Sequence, residues 1–535
     1  MSLSYLRPCF RLQNHLFRQA NTLRTLTTAG SDNQKHLKSV DDLPGPPSVP
    51  VFGAGWRLIV DGMLSKKPLG KIFLDSQAED VKKYGPIYKI DIPGVKLIQL
   101  ADPDELAKVL RNEPKYPKRF DLPALNYYRE IRDTIPGVFF ANGSDWHKLR
   151  STVSKRILKP REVAEYAPTF NEIITDFIER LDKLRILTPG GEMEYEVKDI
   201  DNELFKWSFE SVAHVLFDRR FGCQGDDVNP DAQAFITSVG GFLATAIQVG
   251  FLPVWFYKIY ETKTFKDFVY HFDTMNKYAE LFINKKVQQL EREGRLKSSS
   301  ADKESQDVEG VGFVEFILSN DNMTKDDLMA SIIDLLFAGV DTTSNTMQWI
   351  LYMMAKNPDK QDKLYQEITS VLKKNELPTS TNLRQMPYLK ACVKETLRLY
   401  PVLSSLNRQI PTDMEILGYF LPKGSQVAFL SFYMSRDEKN FKQANKFIPE
   451  RWLRDENNQI SETLHAFSSI PFGFGTRMCA GRRIAELELY LLTTRLLQKY
   501  EIKYPEGEEV EPFMRGVTIP DRPIRVKFTE RSATS

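Results

Sequence analysis

Two hydrophobic periods run along this chain, and the places where one gives way to the other mark its elements. On either side of Pro93-Gly94, the runs Ile87-Tyr88-Lys89-Ile90-Asp91-Ile92 and Leu97-Ile98-Gln99-Leu100 are rich in β-branched residues, which predicts a short hairpin. Asp102-Pro103-Asp104-Glu105 then opens a helix. Residues 120–140 are aromatic and without a period, and read as irregular. A helix begins at Asp145-Trp146, and residues 160–300 follow mostly as amphipathic helices with charged connections; residues 298–305 read as an exposed loop. Thr324 is a predicted N-cap, with Asp327 three residues on. The helix it starts is apolar nearly all round and continues to Asn357 before Pro358, so it should run through the core. Met386-Pro387-Tyr388 leads into a further helix that Tyr400-Pro401 ends. A helical pattern from Ile484 to about Tyr500 and β-like residues 517–520 close the chain. The elements predict a mainly α protein.

Composition narrows the class. The chain has 535 residues, 42% of them hydrophobic and 27% charged, with no Gly/Ser linker or repeat to divide it, which predicts one large domain over 51–535. A Pro-rich stretch over 33–50, containing Leu43-Pro44-Gly45-Pro46-Pro47, is too stiff for helix and marks where folding starts. Net charge is +2, which excludes nucleic acid as the expected partner. Cys9, Cys223, Cys392 and Cys479 show no paired spacing and do not form a secreted disulfide framework. Residues 1–31 hold Arg7, Arg11, Arg18 and Arg24 and no acid, so 1–32 has the pattern of a mitochondrial presequence. Without those four arginines the 73 basic residues fall to 69 against 71 acidic, a net charge of −2. No uninterrupted apolar run is long enough to suggest a membrane-spanning helix or microsomal anchor. The dense stretch Phe251-Leu252-Pro253-Val254-Trp255-Phe256-Tyr257 fits either core or a lip dipping into a membrane surface.

The chemistry concentrates in Pro471-Phe472-Gly473-Phe474-Gly475-Thr476-Arg477-Met478-Cys479-Ala480-Gly481-Arg482-Arg483, a turn-rich loop that delivers one cysteine to the mouth of a helix. There the helix dipole and free N–H groups favour a thiolate, the form that binds metal. Gly473 and Gly475 permit tight turns and Gly481 leaves room for a flat group, while Arg477 offers a fork of donors to a carboxylate. Zinc and iron–sulfur sites need several clustered sulfurs, and the next cysteine upstream is Cys392. A single-thiolate iron remains.

This loop resembles the heme-binding loop of the cytochrome P-450 family, and further motifs follow in that family's order from about residue 40 to 530. The resemblance implies a helix-rich triangular fold with small β-sheets and heme b between the long central helix and the cysteine loop. Cys479 is then the axial ligand, with Phe472 and Arg477 beside it and Trp146, Arg150 and Arg408 toward the propionates. The segment Ala338-Gly339-Val340-Asp341-Thr342-Thr343 resembles the oxygen-activating stretch, with a local opening in the helix and Asp341 and Thr342 relaying protons. Glu395 and Arg398, with Arg451 from Phe447-Ile448-Pro449-Glu450-Arg451-Trp452, match the family's buried structural network. The expected activity is insertion of one atom of O2 into a small apolar substrate: a sterol, a secosteroid or a xenobiotic. The runs Gly481-Arg482-Arg483-Ile484-Ala485-Glu486 and Tyr388-Leu389-Lys390 to Lys394-Glu395 resemble the mitochondrial branch. That branch implies the matrix side of the inner membrane and electrons from a small acidic ferredoxin docking on Lys390, Lys394, Arg482 and Arg483. An electron-independent heme-thiolate isomerase is disfavoured by the intact Asp341–Thr342 pair, and a heme sensor by the lack of an output domain.

Overall fold

The computed structural model describes residues 37–531 apart from 50–51, 94, 186–194, 227, 296–311, 321, 455–463 and 506; the side chains of 58 and 59 are also left undescribed. The presequence region and the loop at 298–305 lie outside the described residues. Helices make up most of what is described, and their apolar faces merge into one large core.

Through that core runs the helix Lys325–Lys356. Thr324 accepts from the Asp327 N–H, and the Asp327 carboxylate accepts in return from the Thr324 N–H, a reciprocal cap at the predicted place. At the other end, Asn357 caps the helix just before the helix Pro358–Val371. Around it pack the helices Ile200–Phe217, Lys263–Arg292, Pro387–Leu399 and Arg482–Lys499. The expected break near Thr342 is absent: the helix is continuous, and the hydroxyls of Thr342, Ser344 and Thr346 each donate to the carbonyl four residues back. Such back-bonding satisfies a buried hydroxyl without opening the ladder. Gly339 has a packing reason instead. A Cβ there would lie 2.7 Å from Val212 Cγ2 on the crossing helix, and Ser208 Oγ donates to the Gly339 carbonyl at 3.2 Å.

A second, smaller core lies under a four-stranded sheet. The predicted hairpin forms its first half: Ile87–Ile92 pairs antiparallel with Val95–Leu100, which continues parallel to Gln426–Phe429, and Leu406–Gln409 closes the order antiparallel. The Pro-rich stretch packs along this sheet, with Leu43 buried and the Pro44 carbonyl accepting from the Lys89 N–H. Near the C-terminus, Pro512–Arg515 and Val517–Pro520 form an antiparallel hairpin turning at Gly516, φ +81°.

Two further expectations fail. Residues 123–132 are helix rather than irregular: Pro123 occupies the first turn, and Ala124, Leu125 and Tyr128 bury a helical stripe that the surrounding charged and aromatic residues mask in the sequence. The stretch Pro230–Phe251 is also long and apolar enough to cross a membrane by length and composition. In the fold its helix, Pro230–Gln248, buries Phe235, Val239 and Phe242 in the main core.

Candidate active site

The cysteine loop is shaped by its own backbone. Gly473 and Gly475 take φ of +72° and +73°, the left-handed turns their positions require, and the Cys479 N–H donates to the Phe472 carbonyl at 2.8 Å. Gly481 caps the helix Arg482–Lys499, and a Cβ on it would meet nothing within 4 Å, so the space beside the first turn is open. Cys479 keeps accessible surface yet lies deep in protein mass. Burial pushes its thiol up, while N–H groups of Gly481 and Arg482 and the charges of Arg150 and Arg119 pull it down toward thiolate.

Trp146 and Arg150, on the helix Gly143–Ile157, both face this loop. The Arg477 guanidinium stacks 4.0 Å from the Trp146 ring centre, and Arg150 Nη2 donates to the Met478 carbonyl at 2.8 Å. Arg477 also donates to the carbonyls of Pro117 and Ala141 and to Asn142 Oδ1, which leaves its Nη1 buried without a partner. Arg408 reaches the same place from the sheet, ion-paired to Glu113 and with Nη2 unspent. A fourth arginine escaped sequence reasoning. Arg119 Nη2 donates to the Arg477 carbonyl at 3.1 Å, and its Nε is a further buried donor without a partner. Nothing local in Glu113 to Arg119 signals this, because the partners lie hundreds of residues away in sequence.

Four guanidinium groups therefore gather against the Cys479 loop, with one carboxylate, Glu113, among them. Burial, reinforced by Arg119 and Arg408, pushes Arg477 down to about 8; burial, with Arg408 and Arg150, pushes Arg119 down to about 10. Buried cations in such excess are stable only with an anion among them. Heme b carries two carboxylates and a flat ring, and the unspent donors of Arg119, Arg408 and Arg477 beside the open face of Gly481 fit it.

On the central helix, Asp341 is buried and spans two contacts, Arg515 Nη2 at 3.2 Å and Asn345 Nδ2 at 3.0 Å. Burial raises its carboxyl, against the pull of Arg515. Thr342 Oγ1 donates to the Ala338 carbonyl at 2.7 Å. Glu395, Arg398 and Arg451 are brought together and fully buried. The Glu395 carboxylate accepts from Arg398 at 2.7 and 2.8 Å, from Arg451 at 3.1 Å, and from the Trp452 indole at 2.8 Å. Arg398 goes on to the carbonyls of Ser435, Ala444 and Lys446, tying its helix to the segment that leads into the cysteine loop.

The family model of cytochrome P450 matches residues 43–528. The chain belongs to the cytochrome P450 family. It is accordingly a heme-thiolate monooxygenase whose cofactor is heme b. Among its relatives, mitochondrial sterol 26-hydroxylase of Rattus norvegicus is 34% identical over 504 residues, covering 94% of this chain and 91% of the relative. Mitochondrial 1,25-dihydroxyvitamin D(3) 24-hydroxylase of the same species is 33% identical, covering 92% and 90%. Cytochrome P450 10 of Lymnaea stagnalis is 32% identical, covering 95% and 89%.

On this P450 the four candidate docking residues differ in setting. Lys394 is exposed, its ammonium 4.0 Å from the Trp452 ring centre; partial burial and the nearby Arg482 charge lower its pKa. Arg482 and Arg483 are exposed, but Arg482 is paired with Glu486 at 3.1 Å. Lys390 is only half-exposed and donates to the Arg384 carbonyl at 3.2 Å. Lys394 and Arg482 are thus close neighbours.

Proposed function

We propose that this P450 is a mitochondrial enzyme that hydroxylates a sterol-like or secosteroid-like skeleton, taking electrons from a small ferredoxin. The names of its relatives support the substrate class and the compartment. The observation that carries the site is the excess of four guanidinium groups, those of Arg408 and Arg477 fully buried, over one carboxylate against the Cys479 loop.

In this reading Cys479 would supply the thiolate that holds the heme iron, and Trp146, Arg119, Arg150, Arg408 and Arg477 would hold the propionates. When bound, heme supplies oxygen activation, with the thiolate donating electron density. The protein's own residues orient and protonate. Phe472 holds the cysteine by its carbonyl. Asp341, released from Arg515, exchanges a proton with solvent, and Thr342 Oγ1 passes it on from its seat on the Ala338 carbonyl. Glu395, Arg398 and Arg451 act structurally, keeping the cysteine loop at its distance from the central helix.

The apolar lip extends this reading to the matrix face of the inner membrane. Met63 and Leu64 of the helix Gly55–Ser65 are 75% and 79% exposed, and Ile259 of the helix Val254–Ile259 is 79% exposed, with Trp255 also exposed. A Cβ on Gly55 would lie 3.1 Å from the Phe251 ring, so the helix Gly55–Ser65 starts against the segment that leads into the helix Val254–Ile259. That patch suits peripheral contact with lipid.

One panel tests the assignment. Purified wild type, reconstituted with a mitochondrial-type ferredoxin, its reductase and NADPH, should transfer label from isotopic O2 into a sterol or secosteroid product. Cys479→His should lose the thiolate-type Soret band of the reduced CO complex, and Thr342→Ala should keep that band but form less product per NADPH consumed. Product formed without ferredoxin, an unchanged band in Cys479→His, or unchanged coupling in Thr342→Ala would each remove the corresponding part.

A further inference from the structure

The helix Pro123–Arg132, unforeseen in the sequence, brings an arginine toward the aromatic residues packed on the central helix. Arg129 is half-buried, and its guanidinium lies 5.0 Å from the ring centre of Phe140. Phe140 stacks on Phe337 of the central helix at 6.1 Å, and Phe337 meets Phe242 edge-on at 5.3 Å. Among the described residues the Arg129 guanidinium makes no hydrogen bond, and no carboxylate is ion-paired with it. The neighbouring charges on the same helix are spent: Arg132 pairs with Asp273, and Glu130 with Lys258. Asp334 is the nearest buried acid, but its Oδ2 accepts from the N–H groups of Phe139 and Phe140. Burial lowers the Arg129 pKa, only partly countered by Asp334. A cation held over an aromatic wall with all five donors free is a receptor for an anion.

We propose that the substrate of this P450 is an organic monoanion, a carboxylate or sulfate on an apolar skeleton, and that Arg129 binds its charged end. The inference deepens the proposed function and rests on it. Asp334, which senses Arg129, and Thr342, at the oxygen chemistry, are eight residues apart on one helix, or about 12 Å along its axis. The charged end and the oxidised carbon are therefore separated by roughly the length of a steroid ring system or a medium fatty chain. Arg515, also beside this helix, is ion-paired with Asp341, whereas Arg129 has no carboxylate partner among the described residues.

The test compares acids with their esters. Holoenzyme is titrated with cholanic acid and methyl cholanate, and with dodecanoic acid and methyl dodecanoate, following both the heme spin-state shift and the heat of binding. Wild type should bind one acid roughly ten- to a hundredfold more tightly than its ester, the worth of a charge-assisted hydrogen bond, and the skeleton showing that ratio identifies the class. Arg129→Gln and Arg129→Met, the latter keeping a stem over Phe140, should bring the ratio close to one; Arg129→Lys should retain most of it. Equal affinity of acid and ester in wild type for both skeletons, or a ratio that survives in the neutral variants, overturns the proposal. If the thiolate Soret band is intact in those samples, the functional reading stands and only the anionic substrate falls.

Discussion

Asp334 shows how one buried carboxyl couples the loop at 137–140 to the central helix. Its Oδ2 accepts the Phe139 N–H at 2.8 Å, and burial raises its pKa from 3.8 to about 6, with Arg129 and the two N–H groups opposing the rise. The folded protein thus holds this proton where the unfolded chain has released it. Stability contributed by the group is full below pH ~4 and falls as pH rises to ~6, by up to about 3 kcal/mol at 1.36 kcal/mol per pKa unit. Asp334→Asn keeps an acceptor oxygen for Phe139 and Phe140 but has no proton to lose. Thermal melting of the two proteins from about pH 4 to 7 should show the wild type losing ground to the variant as pH rises. Parallel curves would mean that Asp334 stays ionised throughout. No such residue was legible in the sequence, where Asp334 is one acid inside an apolar helix. The same holds for Arg119 and for the Asp341–Arg515 pair, because each is defined by partners far away in the chain. Cys479, Thr324 and Glu395 were legible because a loop, a cap or an i, i+3 pair carries their meaning locally.

The central helix is the element whose ends were best predicted and whose middle was least understood. Periodicity and caps are local, so the span from Thr324 to Asn357 could be read directly. The purpose of Gly339 could not, since its reason is Val212 on another helix. A methyl group at 339 gains about 1 kcal/mol of helix propensity but meets Val212 Cγ2 at 2.7 Å, and overpacking of that kind costs about 1–3 kcal/mol. Val is β-branched and cannot swing aside cheaply. Gly339→Ala should therefore lower the melting temperature, with a net loss of up to about 2 kcal/mol, and Val212→Ala added to it should cost less than Val212→Ala alone. Additive effects of the two substitutions would show that the helices do not meet at these residues. The irregular reading of 120–140 failed for a related reason: ten residues with one buried stripe give a weak period when arginines and tyrosines fill the other faces.

At the scale of the molecule, the thiolate side and the substrate side carry different surfaces. The most exposed apolar residues, Met63, Leu64 and Ile259, lie on the helices Gly55–Ser65 and Val254–Ile259, whereas Lys394, Arg482 and Arg483 are exposed beside the start of the helix that follows Cys479. Lys394 rests on Trp452, whose indole N–H bonds Glu395, so a partner touching Lys394 contacts the network that leads to the cysteine loop. We expect an acidic ferredoxin to dock there. Long-range attraction between exposed charges is screened over about 8 Å at physiological salt, so reconstituted turnover of the wild type should fall steeply as NaCl is raised. Lys390→Glu with Lys394→Glu should slow association and flatten that salt dependence. Because Lys394 packs on Trp452, the thiolate Soret band of the double variant must first match wild type, and Lys390→Glu alone serves as the variant that leaves Trp452 untouched. Lys390 is half-exposed and tied to the Arg384 carbonyl, so its single reversal should have the smaller effect. Equal activity of the double variant and wild type across the salt series would eliminate this face. Full activity with a two-flavin microsomal reductase in place of ferredoxin would eliminate the mitochondrial assignment as well.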